Sequence, residues 1–130
     1  MSFQFKKHYT VEEAQELIPQ LRFWLAELRH HRTHLDHLDN RLGQLLQTGA
    51  DAGGEIVKDW IQHLAGLQKT MARFRRMEIQ IKDLERGLLD FPAIMAGREV
   101  FLCWEQDEEK IEFWHDLETG FAGRARLPEA

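Results

Sequence analysis

From Leu17 to Leu45 the apolar residues recur in steps of four and three: Leu17, Leu21, Trp24, Leu28, Leu35, Leu38, Leu42 and Leu45, with His31 as the one polar member of the line. This is a heptad seam on one face of a long helix. Such a stripe is unstable in water without a partner helix. A second stripe reads Val57, Trp60, Leu64, Leu67, Met71 and Phe74, then slips by three to Met77, Ile81, Leu84 and Leu88. A slip of that size locally overwinds a helix pair. Between the stripes lies QTGADAGG, residues 47–54, the clearest break in the chain.

Local signals set the helix ends. Thr10-Val11-Glu12-Glu13 is a capping box, in which hydroxyl and carboxylate satisfy each other's backbone amides. Pro19 predicts a kink near residues 15–19, or a short first helix followed by a long one. The second helix is predicted over 55–86, with Lys82 and Arg86 in its last turn and Gly87 in the left-handed position after it. Two long helices joined by a short loop run antiparallel. At about 1.5 Å per residue, Leu17 to Leu45 spans about 42 Å, longer than a small domain is wide. Either the hairpin projects from a small head, or two chains pair their hairpins into a four-helix bundle. Phe23, Leu25, Ile61 and Ile79, off the seam, are available for such pairing, and a homodimer is expected.

Then the period falls to two. Leu88 to Ala93 reads as a strand that Pro92 places on an edge or at a bulge. Ala96-Gly97-Arg98 is a turn, Glu99 to Gln106 a strand, Asp107-Glu108 a second turn and Lys110 to Asp116 the returning strand. Pairing Glu105 with Lys110 puts Val100, Leu102 and Trp104 on one face with Ile111, Phe113 and His115. Phe101, Cys103, Glu112 and Trp114 take the other face, where Trp114 is covered by the N-terminal arm or exposed. Trp24 and Trp60 are expected in the helical core. Residues 2–9 form an edge strand or an arm, and LETGFAGR, 117–124, a Gly-punctuated loop. The expected fold is α+β: a long, coiled-coil-like antiparallel two-helix hairpin with a small antiparallel sheet where the second helix finishes. We read one domain over 1–130, with an arm at 1–9, helices at 10–47 and 55–86, and a β-meander with its Gly-rich loop at 88–124.

Composition narrows the function classes. Of 130 residues, 43% are hydrophobic and 30% charged, so the chain is globular rather than disordered. A net charge of −5 argues against a nucleic-acid backbone as partner, and Arg73, Arg75 and Arg76 read as a solvated helix face. The single cysteine, Cys103, forbids an internal disulfide and is compatible with a reducing cytoplasm. The first ten residues hold no apolar run of signal-peptide length, and no window reaches the roughly 18 apolar residues of a membrane span.

Four segments, YTVEEAQELIPQL at 9–21, KDLERGLLDFPA at 82–93, GREVFLCWE at 97–105 and IEFWHDLETGFAGR at 111–124, resemble an uncharacterised prokaryotic family, domain-of-unknown-function family 2203. The resemblance covers nearly the whole chain apart from the 47–54 loop and its flanks. It implies a bacterial, cytoplasmic protein. It implies no activity, cofactor or site residue.

The chemistry therefore rests on the residues. Polar groups gather where the second helix meets the sheet: Glu78, Glu85, Arg86, Asp90, His115, Asp116, Glu118 and Arg124. A histidine flanked by carboxylates can act as a general base or ligate a divalent metal. Gly120 and Gly123 permit close backbone approach of a small ligand, and Arg124 suits a carboxylate or phosphate. The competing reading is a structural network in which His115 bonds a carboxylate and Arg86 and Arg124 pair with Glu85 or Asp90. Cys103 reads as a small buried residue, and no nucleophile stands out. In HHRTHLDH, His30, His34 and His37 share one helix face and can chelate a transition metal. His31, in the seam, sets register or makes pairing sensitive to pH. Two functions stay open. One is a structural or interaction module that dimerises through its hairpin. The other is a small-ligand or divalent-metal-binding protein, or an enzyme, with its site around His115. No group meets a catalytic template, which weighs against an enzyme.

Overall fold

A computed structural model describes residues 2–48 and 54–128. In chain order it contains α1 (Val11–Gln47), α2 (Gly54–Met77), β1 (Gln80–Asp83), β2 (Leu88–Met95), β3 (Arg98–Glu105), β4 (Phe113–Asp116), a 3-10 turn at Phe121–Gly123 and β5 (Ala125–Arg126). The fold is α+β, as the two periodicities require. Residues 49–53 of the predicted break lie outside the described residues.

The capping box forms as read: the Thr10 amide donates to Glu13 Oε1 at 2.9 Å, and the Glu13 amide to Thr10 Oγ1 at 3.1 Å. Pro19 does not divide α1, which is one continuous helix with Pro19 inside it and exposed. The carbonyl it would otherwise bond can turn to water there.

The second helix is shorter than predicted. It ends at Met77, nine residues before Arg86. Glu78 takes a left-handed conformation (φ 58°), and its amide donates to Arg75 O while the Ile79 amide donates to Phe74 O. These are the two bonds of a Schellman motif, with Ile79 and Phe74, both buried, as its apolar contact. Glycine is the usual signal for this stop, and a glutamate carries it here. Lys82 and Ile81, expected in the helix, therefore belong to β1, and Leu84 to Gly87 turn the chain into β2.

The described chain forms two compact units, Met1–Phe23 with Phe74–Ala130, and Trp24–Arg73. In the first, a five-stranded antiparallel sheet runs in the order β1-β2-β3-β4-β5. Leu89, Phe91, Ala93, Val100, Leu102 and Trp104 make its buried apolar face. The first turns of α1 lie on it through Ala14, Ile18 and Leu21. Gln15 bonds Glu109 O and the Ile111 amide, and Arg22 bonds the carbonyls of Gln106 and Glu108 with its guanidinium over Trp104. Pro92 lies beyond the reach of β1, where its carbonyl accepts from the Tyr9 amide. The missing donor of Pro92 thus faces the arm and not β3.

The arm forms no strand. Glu99 accepts the amides of Gln4 and Phe5 and bonds His8 Nε2 at 2.7 Å; Glu78 accepts the amides of Lys6 and Lys7. Tyr9 Oη donates to Met77 O.

In the second unit α1 and α2 run antiparallel. Glu27, midway along α1, accepts from Thr70 near the end of α2, and Asp39, farther along α1, accepts from Trp60 Nε1 in the earlier turns of α2. Leu25, Leu28, Leu35 and Leu38 are buried, whereas Trp24 and Trp60 are half-buried rather than core. Of the four residues assigned to pairing, Leu25 and Ile79 are consumed by the chain's own core; Phe23 and Ile61 are exposed.

The predicted hairpin register is wrong by one residue. Val100 pairs with Asp116, Phe101 with His115, Leu102 with Trp114 and Cys103 with Phe113. A slip of one transfers every side chain of β4 to the other face. His115 accordingly shares a face with Phe101 and Cys103, and Trp114 lies opposite Leu102 with Arg98 over its ring. The cause is the turn: Glu105 and Glu108 close a backbone bond with each other, and the Glu108 carboxylate caps the Glu105 amide. This leaves β4 starting at Phe113 instead of Lys110.

Candidate functional site

The sheet face away from α1 carries an unusual set of buried polar groups. Asp90 on β2 lies directly opposite Cys103 on β3, and His115 on β4 reaches across β3 toward both. His115 Nε2 is 2.9 Å from Asp90 Oδ2, and each side chain is 2% exposed. His115 Nδ1 is 2.6 Å from the carbonyl oxygen of Asp116. A carbonyl only accepts, so Nδ1 carries a proton, and Nε2 is the nitrogen presented to Asp90.

Asp90 Oδ1 is buried and receives no N–H or O–H donor among the described residues. Another polar neighbour of the carboxylate is the Cys103 thiol, a weak donor. Burial pushes the Asp90 carboxyl above its ordinary value, against the pull of His115 and Lys82. Burial, then the charge of Asp90, pushes the Cys103 thiol up to about 12, although Arg124 lies against it. Without a stronger partner this favours the thiol form of Cys103, the less nucleophilic one. One donor atom from each of Asp90, Cys103 and His115 lies within 4.8 Å of the others.

Access comes from one side. A cavity of about 380 Å³ has Asp90 and His115 on its floor and Leu88, Phe101, Leu117 and Phe121 in its walls. Lys82 and Glu118 stand at its rim. The Gly-punctuated loop builds the outer wall by folding back over the sheet. Arg124 stacks 3.8 Å from the Phe113 ring centroid and 4.3 Å from that of Phe121, and its two terminal nitrogens hold the Glu108 carboxylate. Arg86 lies 4.4 Å from the Phe121 centroid and bonds Glu105.

Of the residues singled out from sequence, the fold brings Asp90 and His115 together, while Arg124 lies beside Cys103 and is held by Glu108. Glu78 is drawn off to the arm. Glu85 is exposed in the β1–β2 turn. Arg86 supports the loop from outside. Asp116 gives its carbonyl to His115, while its carboxylate pairs with Arg98 at 3.0 Å. Arg86 bonds Glu105 and Arg124 bonds Glu108. Cys103, Lys82, Phe101 and Phe121 were missed. The first two were hidden by the wrong register and the wrong helix end. In the helical unit, His37 is exposed and lies outside the histidine group; His63 of α2 joins His30 and His34 in its place.

These features define a class: a small α+β protein with an antiparallel β-meander whose outer face carries a buried aspartate–cysteine–histidine group under a pocket. The chain belongs to the family described as Uncharacterized conserved protein (DUF2203), whose model matches residues 7–127. No curated protein and no solved structure matches it. Among the described residues no helix is long and apolar enough to cross a membrane.

Proposed function

We propose that this chain is a metal-binding protein that holds a divalent ion of the zinc kind on Asp90, Cys103 and His115. The observation that carries the reading is the buried Asp90 Oδ1, which receives no N–H or O–H donor among the described residues. An unpaired carboxylate oxygen in an apolar interior is costly, and a cation placed beside it removes the cost. His115 is already arranged as a ligand, with Nδ1–H anchored on a backbone carbonyl and Nε2 directed at the group. A cation also accounts for the thiol, because coordination deprotonates it. Thiolate and carboxylate together neutralise two positive charges. Sulfur and imidazole donors suit zinc, cobalt or nickel and not calcium or magnesium, which take oxygen ligands. Three protein ligands leave one zinc position for water or a small molecule, and the pocket borders two of those ligands.

Cobalt titration of the chelator-treated protein tests this. One equivalent should bind with a thiolate-to-cobalt charge-transfer band, absent in Cys103→Ser and weakened in His115→Ala. Affinity should fall as the pH drops, because protons compete for the thiolate. A cobalt titration in which that band never develops, or a band that persists in Cys103→Ser, would overturn the assignment.

A second reading, pairing of the helical hairpin with another copy of the chain, is favoured by Val57 and Ile61. They lie one turn apart on α2 and are 40% and 55% exposed. Light scattering should give a dimer that Ile61→Lys converts to a monomer; a wild-type monomer at every concentration removes this reading.

A further inference from the structure

We propose that His30, His34 and His63 form a second transition-metal site, on the helical hairpin, which ties α1 to α2. It uses none of the residues of the sheet site and stands if that reading fails. His30 and His34 are one turn apart on α1, the spacing at which two imidazoles share a face and can chelate. α2 contributes His63, and one nitrogen from each of the three lies within 4.8 Å of the others. The rings are already gathered. The His30 and His34 centroids are 4.2 Å apart, and His34 and His63 stack at 4.7 Å with their planes 18° apart.

Two contacts orient the donors. His34 Nδ1 donates to the carbonyl of His30 at 2.8 Å, which leaves Nε2 of His34 for a metal. His63 Nδ1 is 2.9 Å from His31 Nδ1, so one of these two nitrogens carries the proton and the other accepts it. His31 thereby backs His63 without belonging to the site. The space for His31 is made by Gly66 of α2, where a Cβ would come within 2.5 Å of His31 Nε2. Glycine inside a helix is unfavourable, and here it is what lets the imidazole enter between the helices.

Neutral imidazole is the ligating form. Three nitrogen donors without a thiolate or a ligating carboxylate suit nickel, copper(II) or zinc. His30 and His34 are exposed, so the ion can enter from solvent.

Nickel(II) titrated calorimetrically into the full chain is the test. His34→Ala and His63→Ala should each weaken one class of sites at least about tenfold. His37→Ala, which removes a histidine of the same run outside the group, should leave that class unchanged, as should His115→Ala. Nickel should raise the thermal midpoint of the His37→Ala protein and fail to raise that of the His34→Ala protein through this site. His34 and His37 are both exposed, so neither variant removes a side chain of the buried core. Nickel binding that is insensitive to His63→Ala, or lost equally in His37→Ala, would overturn the proposal in favour of chelation along α1 alone; no nickel binding beyond the class lost in His115→Ala would overturn it outright.

Discussion

Asp90 is a buried carboxylate and Glu99 a half-buried one, and their surroundings drive them in opposite directions. Asp90 has one strong partner, and burial raises its affinity for a proton. The folded chain then holds that proton at pH values where the unfolded chain has lost it. The contribution to stability is complete below the ordinary aspartate value and declines as the pH rises through Asp90's own, higher value. In the chelator-treated protein Asp90→Asn should remove this slope, read from chemical denaturation at a series of mildly acidic pH values. For Glu99, burial is the largest single influence and raises it, but the bonds from His8, Phe5 and Gln4 together outweigh burial and lower it. Its contribution is therefore complete above the ordinary glutamate value and lost as the pH falls through the depressed one. Glu99→Gln should cost about 1–2 kcal/mol, since charge-assisted bonds to several donors become neutral ones. The amides of Gln4 and Phe5 should then exchange hydrogen faster, which amide exchange by NMR would record.

Among the elements, the end of α2 shows how a local rule can be satisfied by an unexpected residue. Glu78 bears the strain of a left-handed backbone while its carboxylate holds two amides of the arm. Glu78→Ala keeps the strain and loses the anchor, whereas Glu78→Gly loses both. The alanine variant should be less stable than the glycine variant by about 1 kcal/mol in equilibrium unfolding. Gly66 makes the complementary case. Gly66→Ala should destabilise by about 1–3 kcal/mol, because the methyl group displaces the His31 ring. In a His31→Ala background the same change should become stabilising, by up to about 1 kcal/mol, as helix propensity takes over. The capping box at Thr10 was legible because its two bonds join residues three apart. The stop at Glu78 was not, because the usual glycine stands nine positions later, at Gly87, where it serves the β1–β2 turn.

For the molecule as a whole, a ligand that binds only the folded chain raises its stability in proportion to the logarithm of its concentration. Zinc at about a hundred times the dissociation constant of a site adds about 2.7 kcal/mol, or about 10 °C in thermal midpoint for a chain of this size, for each site it fills. That shift should appear in calorimetry of the chelator-treated protein and be largely lost in a Cys103→Ser, His34→Ala double variant. Each single variant should retain part of it. Full retention in the double variant would place zinc elsewhere.

The periods of seven and two were enough to establish two antiparallel helices followed by a β-meander, because burial of an apolar face depends on spacing along the chain. Family membership was likewise readable from 9–21, 82–93, 97–105 and 111–124. The chemistry was not. Whether His115 meets Cys103 or Leu102 turns on one residue of hairpin register, which the Glu105–Glu108 turn decides. Whether His37 or His63 completes the histidine group depends on how α2 lies against α1. Both are contacts between residues far apart in sequence or on facing elements, and only three-dimensional packing selects among the alternatives that periodicity leaves equal.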